Sequence, residues 1–161
     1  MGLDIGTKTA QCRFGNYCGV HDFRAASILA VIAARPHLKE HLNEFVSADF
    51  RIGRGPGGRC PVIYDEMPAA TPGHWNLSDD DVSIVDGLLK FVNCSDCDGR
   101  WTQGDVVDIH RFFVAMRHHL CRVMEDNTAD VADEGEMTRW VNRIADFFEE
   151  AAVGGEWIQR G

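Results

Sequence analysis

Apolar residues fall in blocks whose spacing changes along the chain, and the spacing predicts the elements. "MGLDI" at 1–5 reads as a short opening strand, and "GNYCGV" at 15–20 as a glycine-flanked turn. Asp22 is placed to cap a helix through "FRAASILAVIAA", which Pro36 ends. Phe23, Ala26, Ile28, Leu29, Val31 and Ile32 nearly encircle that segment, so it is expected to be a central helix. Pro36 then suits the first turn of another helix over 36–46, with Leu38, Leu42, Phe45 and Val46 on one stripe.

The run "RIGRGPGGRCP" at 51–61 breaks the pattern and predicts a loop, with "VIY" at 62–64 a short strand after it. Ser78 followed by acids and by Val82, Val85, Leu88 and Leu89 predicts a capped helix. Two more helical stripes run through Val106, Ile109, Phe113, Met116, Leu120 and Val123, and through Met137, Trp140, Ile144, Phe147, Phe148 and Ala151. Gly154 and Gly155 stop the last helix, and "EWIQ" reads as a closing strand. The fold class expected is α+β: a helix-dominated single domain over 1–161, with a small sheet that pairs the N- and C-terminal strands.

Composition narrows the function classes. The formal net charge of −9 argues against binding to nucleic-acid duplexes, which needs a basic footprint. A local group of arginines can still hold a small anion inside an acidic protein. No charged leader with an apolar run opens the sequence, and "AASILAVIAA" at 25–34 is too short to span a bilayer, so a cytoplasmic protein without a membrane partner is expected. The cysteines at 12, 18, 60, 94, 97 and 121 are expected as reduced thiols in that compartment.

The stretch "VNCSDCDGRW" at 92–101 concentrates the candidate chemistry. Asp96 and Asp98 stand two apart, between and beside Cys94 and Cys97. The CxxC has no second CxxC or HxxxH to complete a zinc site, and its Ser-Asp interior differs from a thioredoxin-like motif. With Asp96 and Asp98 at positions 3 and 5 of a calcium loop, Gly99 falls at 6 and Asp105 at 12. Cys94 at position 1 is then a poor ligand for a hard cation. A tight turn, in which Ser95 and Asp96 bond nearby amides before an Asp-Gly corner, accounts for the same residues.

Four segments together resemble a family of small, uncharacterised phage and prophage proteins. They are "MGLDI" at 1–5, "YCGVHDFR" at 17–24, "NCSDCDG" at 93–99, and a Trp-bearing helix with a final strand, "RWVNRIADFFEEAA…EWI", at 139–158. Relatives of that kind carry a "YSGxHxxR"-like and an "NHSDCDG"-like segment, so Cys18 stands in place of Ser and Cys94 in place of His. The resemblance implies a phage-encoded protein working in the host cytosol. It brings no established activity with it.

Read bottom-up, these segments suit one site. His21 and Arg24 are three apart on a helix and share a face, with Tyr17 just before them. Asn93, Asp96 and Asp98 would have to converge on them from mid-chain. The competing reading makes His21 a capping or core residue and Arg24 an ion-pair partner of Asp96 or Asp98. Arg51, Arg54 and Arg59 stand among glycines whose amides suit an anion, or else form a solvated surface loop. His118 and His119 point about 100° apart on a helix and cannot chelate together.

The leading expectation is therefore a protein that binds a small anionic, nucleotide-like ligand and so sequesters a host defence signal. Tyr17, His21, Arg24, Asn93, Asp96, Asp98, Arg54 and Arg59 are the ligand-binding candidates, and no cofactor is required. One alternative is a hydrolase that holds a divalent metal ion on Asp96 and Asp98 with His21. Another is an acidic inhibitor docked on a basic host protein. Self-association into a homo-oligomer is compatible with each.

Overall fold

The computed structural model describes residues 2–52, 60–93, 99–128 and 135–161. The sheet has four strands in the order β2-β1-β4-β3, all antiparallel: β1 Gly2–Gly6, β2 Gln11–Asn16, β3 Gly99–Trp101 and β4 Ile158–Arg160. The expected pairing of the termini is present, with Ile5 opposite Arg160 and Gly6 opposite Gln159. The longer helices are α1 Tyr17–Ala34, α3 Asp79–Val92, α4 Gln103–Asp126 and α5 Glu136–Val153; α2, Lys39–Leu42, is a single turn. The fold is α+β and helix-dominated, as the apolar periods predict.

Two strands were not legible. β2 and the first turn of α1 occupy the region read as a turn at 15–20. The helix is capped by Asn16, whose side chain accepts from the Gly19 amide at 2.7 Å, so Asp22 lies inside the helix. β3 follows directly on the segment at 94–98. The helix expected over 36–46 is instead a chain of short turns: 3-10 at Pro36–Leu38, then α2, then 3-10 at Asn43–Phe45. Only Val62 of the "VIY" segment pairs, in a single bridge with Val46.

α1 is central because both its sides are covered: Phe23, Ala25, Ala26, Ile28, Ala30 and Val31 are fully buried. Ser27 is buried among them with its hydroxyl donating to the Phe23 carbonyl at 2.8 Å. The aromatic core centres on Phe91, whose ring lies 5.2–6.3 Å from those of Phe14, Phe23, Trp101, Phe112, Phe113 and Phe148.

The α3–α4 crossing is close because Gly87 has no side chain. A Cβ there would lie 2.4 Å from the Asp108 carbonyl oxygen and 2.9 Å from the Phe112 Cβ. Trp140 of α5 similarly seats its ring over Gly15 and Gly19, each of which would place a Cβ 3.2 Å from it. Its indole N–H donates to the Phe14 carbonyl at 2.7 Å, covering part of the β2 edge.

The exit of α1 is clasped to the start of α3. Asp81 is 5% exposed and accepts from Arg35 at 2.7 Å and from His37 at 2.6 Å, while its amide is capped by Ser78. Burial pushes the Asp81 carboxyl up, but the bonds from His37, Ser78 and Arg35 outweigh it and hold the pKa below the usual value. α4 starts with a capping box between Thr102 and Asp105.

Candidate functional site

His21 and Arg24 share a face of α1, as their spacing predicts, and meet on a residue the sequence did not single out. The Tyr64 hydroxyl lies 2.8 Å from His21 Nδ1 and 3.1 Å from Arg24 Nη1. A guanidinium can only donate, so Tyr64 accepts from Arg24 and has its own proton available for His21. Arg24 is 2% exposed, and its guanidinium carbon stands 5.9 Å from the Tyr64 ring centre. Because α1 starts at Tyr17, His21 and Arg24 sit in its second turn. The free amides of the helix end belong to the turn before them.

The chain that carries Tyr64 also receives the end of α3. A turn closes from the Met67 amide to the Tyr64 carbonyl at 3.1 Å. One residue on, the Pro68 carbonyl accepts from the Asn93 side chain at 3.5 Å. Asn93 caps α3, its amide bonded to the Leu89 carbonyl at 2.8 Å. The segment 17–24 and the start of the segment 93–99 are thus tied to one turn, Tyr64–Pro68. Asp96 and Asp98, with Cys94 and Cys97, lie outside the described residues, as do Arg54, Arg59 and the side chain of Tyr17. Arg51 is exposed and donates to the neighbouring Phe50 carbonyl at 2.6 Å.

Next to this turn is a cleft of about 300 Å³, bordered by Ala69 and lined by Lys90, Asn93, Arg100, Trp101, Asp105 and Arg160. Among the described residues, its lining includes Lys90, Arg100 and Arg160 and the carboxylate of Asp105. Lys90 is bonded to Asp108 and lies 3.8 Å from Asp105. The Asp108 hydrogen bond is the main cause that holds the ammonium above its usual pKa, so Lys90 stays charged. The Arg160 guanidinium stacks over Trp101 at 4.9 Å, and that of Arg100 over Trp157 at 5.5 Å. The Trp101 indole N–H donates to the Lys90 carbonyl at 3.0 Å and fixes the ring.

Lys90, Arg100 and Arg160 were missed because each looks unremarkable in its own segment. β3 and β4 bring them together, with Gly99 opposite Arg160 and Arg100 opposite Gln159. The available signal was the direct continuation of "SDCDG" into Arg100 and Trp101.

The calcium-loop count loses its last ligand. Asp105 Oδ2 accepts from the Thr102 amide at 3.0 Å in the capping box, and Trp101 is buried in a paired strand. Among the described residues, no three His, Cys, Asp or Glu side chains gather as a metal centre would require. Asp96 and Asp98, the metal-ligand candidates read from the sequence, lie outside those residues. His118 and His119 present their rings edge to face at 5.9 Å. No helix among the described residues is long and apolar enough to cross a membrane. Compared with known proteins, the chain matches no protein-family model, no curated protein and no solved structure.

Proposed function

We propose that the protein binds a small anionic molecule of nucleotide type, and that the cleft at the end of α3 and the β3–β4 edge is its site. The observation that carries this reading is the gathering of Lys90, Arg100 and Arg160 around Asn93 in a chain of net charge −9. Asp108 and Asp105 meet Lys90 from one side, and cations gathered locally in an acidic chain can still draw a small anion. The cleft lies next to the Tyr64–Pro68 turn, which holds both segments read as functional. Arg24, His21 and Tyr64 then act as the rigid support of that turn, and Asn93 as a polar contact at the cleft wall.

Binding without turnover would serve sequestration. In the phage setting that the sequence resemblance implies, the protein would draw a host signal nucleotide out of circulation. Calorimetry with a panel of linear and cyclic nucleotides tests this. Arg100→Ala, at an exposed position, is expected to weaken binding by about 1.5–3 kcal/mol, the value of a charged hydrogen bond. The ligand is expected back intact when the protein is denatured. Product in its place would favour the metal-dependent hydrolase, and no heat with any nucleotide would overturn the binding reading.

A further inference from the structure

Residues 36–45 form a strap that leaves the end of α1 and lies against the chain entering α3. Its buried side is apolar, with Leu38, Leu42 and Phe45 all inside the core. Two imidazoles four residues apart, His37 and His41, join it to residues 75–81. His37 Nε2 lies 2.6 Å from the Asp81 carboxylate. The His41 ring stacks on Trp75, which ends a 3-10 turn at Gly73–Trp75, with ring centres 4.7 Å apart and planes at 16°. His41 Nε2 also stands 3.5 Å from Glu40.

We propose that this strap is a pH-sensitive latch, tightened when His37 and His41 take up protons and loosened when they release them. It works independently of any ligand in the cleft. An imidazole in ordinary surroundings changes its charge between about pH 5 and 8, whereas carboxylates, ammonium and guanidinium groups keep theirs. The other charged groups around the strap are Arg35 at the end of α1, Lys39, Glu40 and Glu44 on the strap itself, and Asp79, Asp80 and Asp81 at the start of α3. Burial pushes the Asp81 carboxyl up, but the bonds from His37, Ser78 and Arg35 hold it below its usual value, so it stays ionised. The Asp80 hydrogen bond is the main cause that keeps Arg35 charged. An imidazolium at His37 makes a charge-assisted bond to Asp81, and one at His41 puts a cation on the indole face and beside Glu40. Arg35, Lys39 and the partial burial of His41 oppose the added charges; the groups in direct contact, Asp81, Glu40 and Trp75, favour them. The latch is firmest near pH 5 and is released as pH rises through the histidine range. Release frees Leu38, Leu42 and Phe45 together, since all three ride on the strap.

Amide exchange followed by NMR on the full chain tests this. The Leu38 amide donates to the Arg35 carbonyl and the Asn43 amide to that of Lys39, so both report opening of the strap. Their protection, corrected for the intrinsic rate, is expected to rise about 3- to 10-fold from pH 8 to pH 5.5, the scale of one charged hydrogen bond at a partly exposed site. Protection of Ile144, in the middle of α5, should change little. Combining His37→Gln with His41→Phe keeps a donor for Asp81 and a flat ring for Trp75 but removes both titrating groups, and the rise should vanish. His74→Gln, at an exposed position on the neighbouring 3-10 turn, should leave the rise intact. A strap equally protected at both pH values in the unaltered protein would overturn the latch, whether or not the double variant folds. A rise matched at Ile144 would place the effect in global stability and overturn it as well. So would a rise that survives in the double variant or disappears in His74→Gln.

Discussion

Replacing Gly87 by alanine separates two opposed effects that the structure puts in numerical terms. In a helix interior, alanine is favoured over glycine by about 1 kcal/mol, so on propensity alone the change stabilises α3. At this crossing the new methyl would lie 2.4 Å from a backbone carbonyl, that of Asp108, and 2.9 Å from the Phe112 Cβ. Neither neighbour is the end of a flexible chain. Relief requires α3 and α4 to part by about 1 Å, and a gap of that size forfeits a quarter to a half of each contact across it. Overpacking of this kind costs about 1–3 kcal/mol or more, and the buried Leu88, Leu89 and Phe112 would share the shift.

The clash outweighs the propensity. The expected net loss is about 1–2 kcal/mol, or roughly 2–8 °C in Tm for a chain of this size. Gly104→Ala is the control: it is also helical, and its Cβ would meet nothing nearer than Thr102 Oγ1 at 3.8 Å. It should be neutral or slightly stabilising. Thermal and urea unfolding followed by circular dichroism reads both. If Gly87→Ala raised Tm alongside Gly104→Ala, close approach at the crossing would not be what holds α3 to α4. Because Lys90 and Asp108 face each other across the same crossing, the variant should also weaken any ligand held in the cleft.

Three further outcomes are expected. Asp81→Asn should lower stability at pH 7 by about 2 kcal/mol, the scale of charged hydrogen bonds at a partly buried site. The folded Asp81 pKa is depressed, so its contribution is present above the unfolded value near 3.8 and is lost as pH falls through the folded value. The gap between variant and parent in urea titrations should thus narrow as pH falls below the unfolded value, and a gap that did not narrow at all down to about pH 2 would refute the assignment. Trp140→Phe should cost about 1–3 kcal/mol by orphaning the Phe14 carbonyl, and Gly19→Ala should destabilise through contact with the same ring; an unchanged urea midpoint for either would count against the Trp140 seat. Tyr64→Phe keeps the ring and removes the shared hydroxyl, so it should loosen the Tyr64–Pro68 turn, seen as faster amide exchange at Met67, with no loss from the aromatic core.

How much of the fold could be read depended on element length. α3, α4 and α5 declare themselves by several turns of apolar period, and α3 and α5 also by Ser78 and the Gly154–Gly155 pair at their ends. β2 and β3 do not. β2 has Phe14 as its one fully buried side chain, and β3 has three residues with only Trp101 buried, too few for an alternation to show. Around Pro36 the apolar stripe was real, since Leu38, Leu42 and Phe45 are all buried, but their burial is achieved by short 3-10 and α turns. A period of three to four cannot separate those geometries over so short a run.

The candidate site could be read only in part for a related reason. His21 and Arg24 share one helix, so their spacing alone fixes a common face, and Tyr64 does meet both. The cleft draws Lys90 from α3, Arg100 from β3 and Arg160 from β4, three elements whose adjacency is decided only when the sheet closes. Glycine links the two levels. In the sequence, Gly99 reads as the corner after Asp98; in the sheet it is the residue whose missing side chain lets Arg160 lie flat against Trp101. A turn signal in one dimension is thus a packing requirement in three. Gly99, the last residue of the polar stretch from Asn93 in the sequence, pairs with an arginine from the far end of the chain.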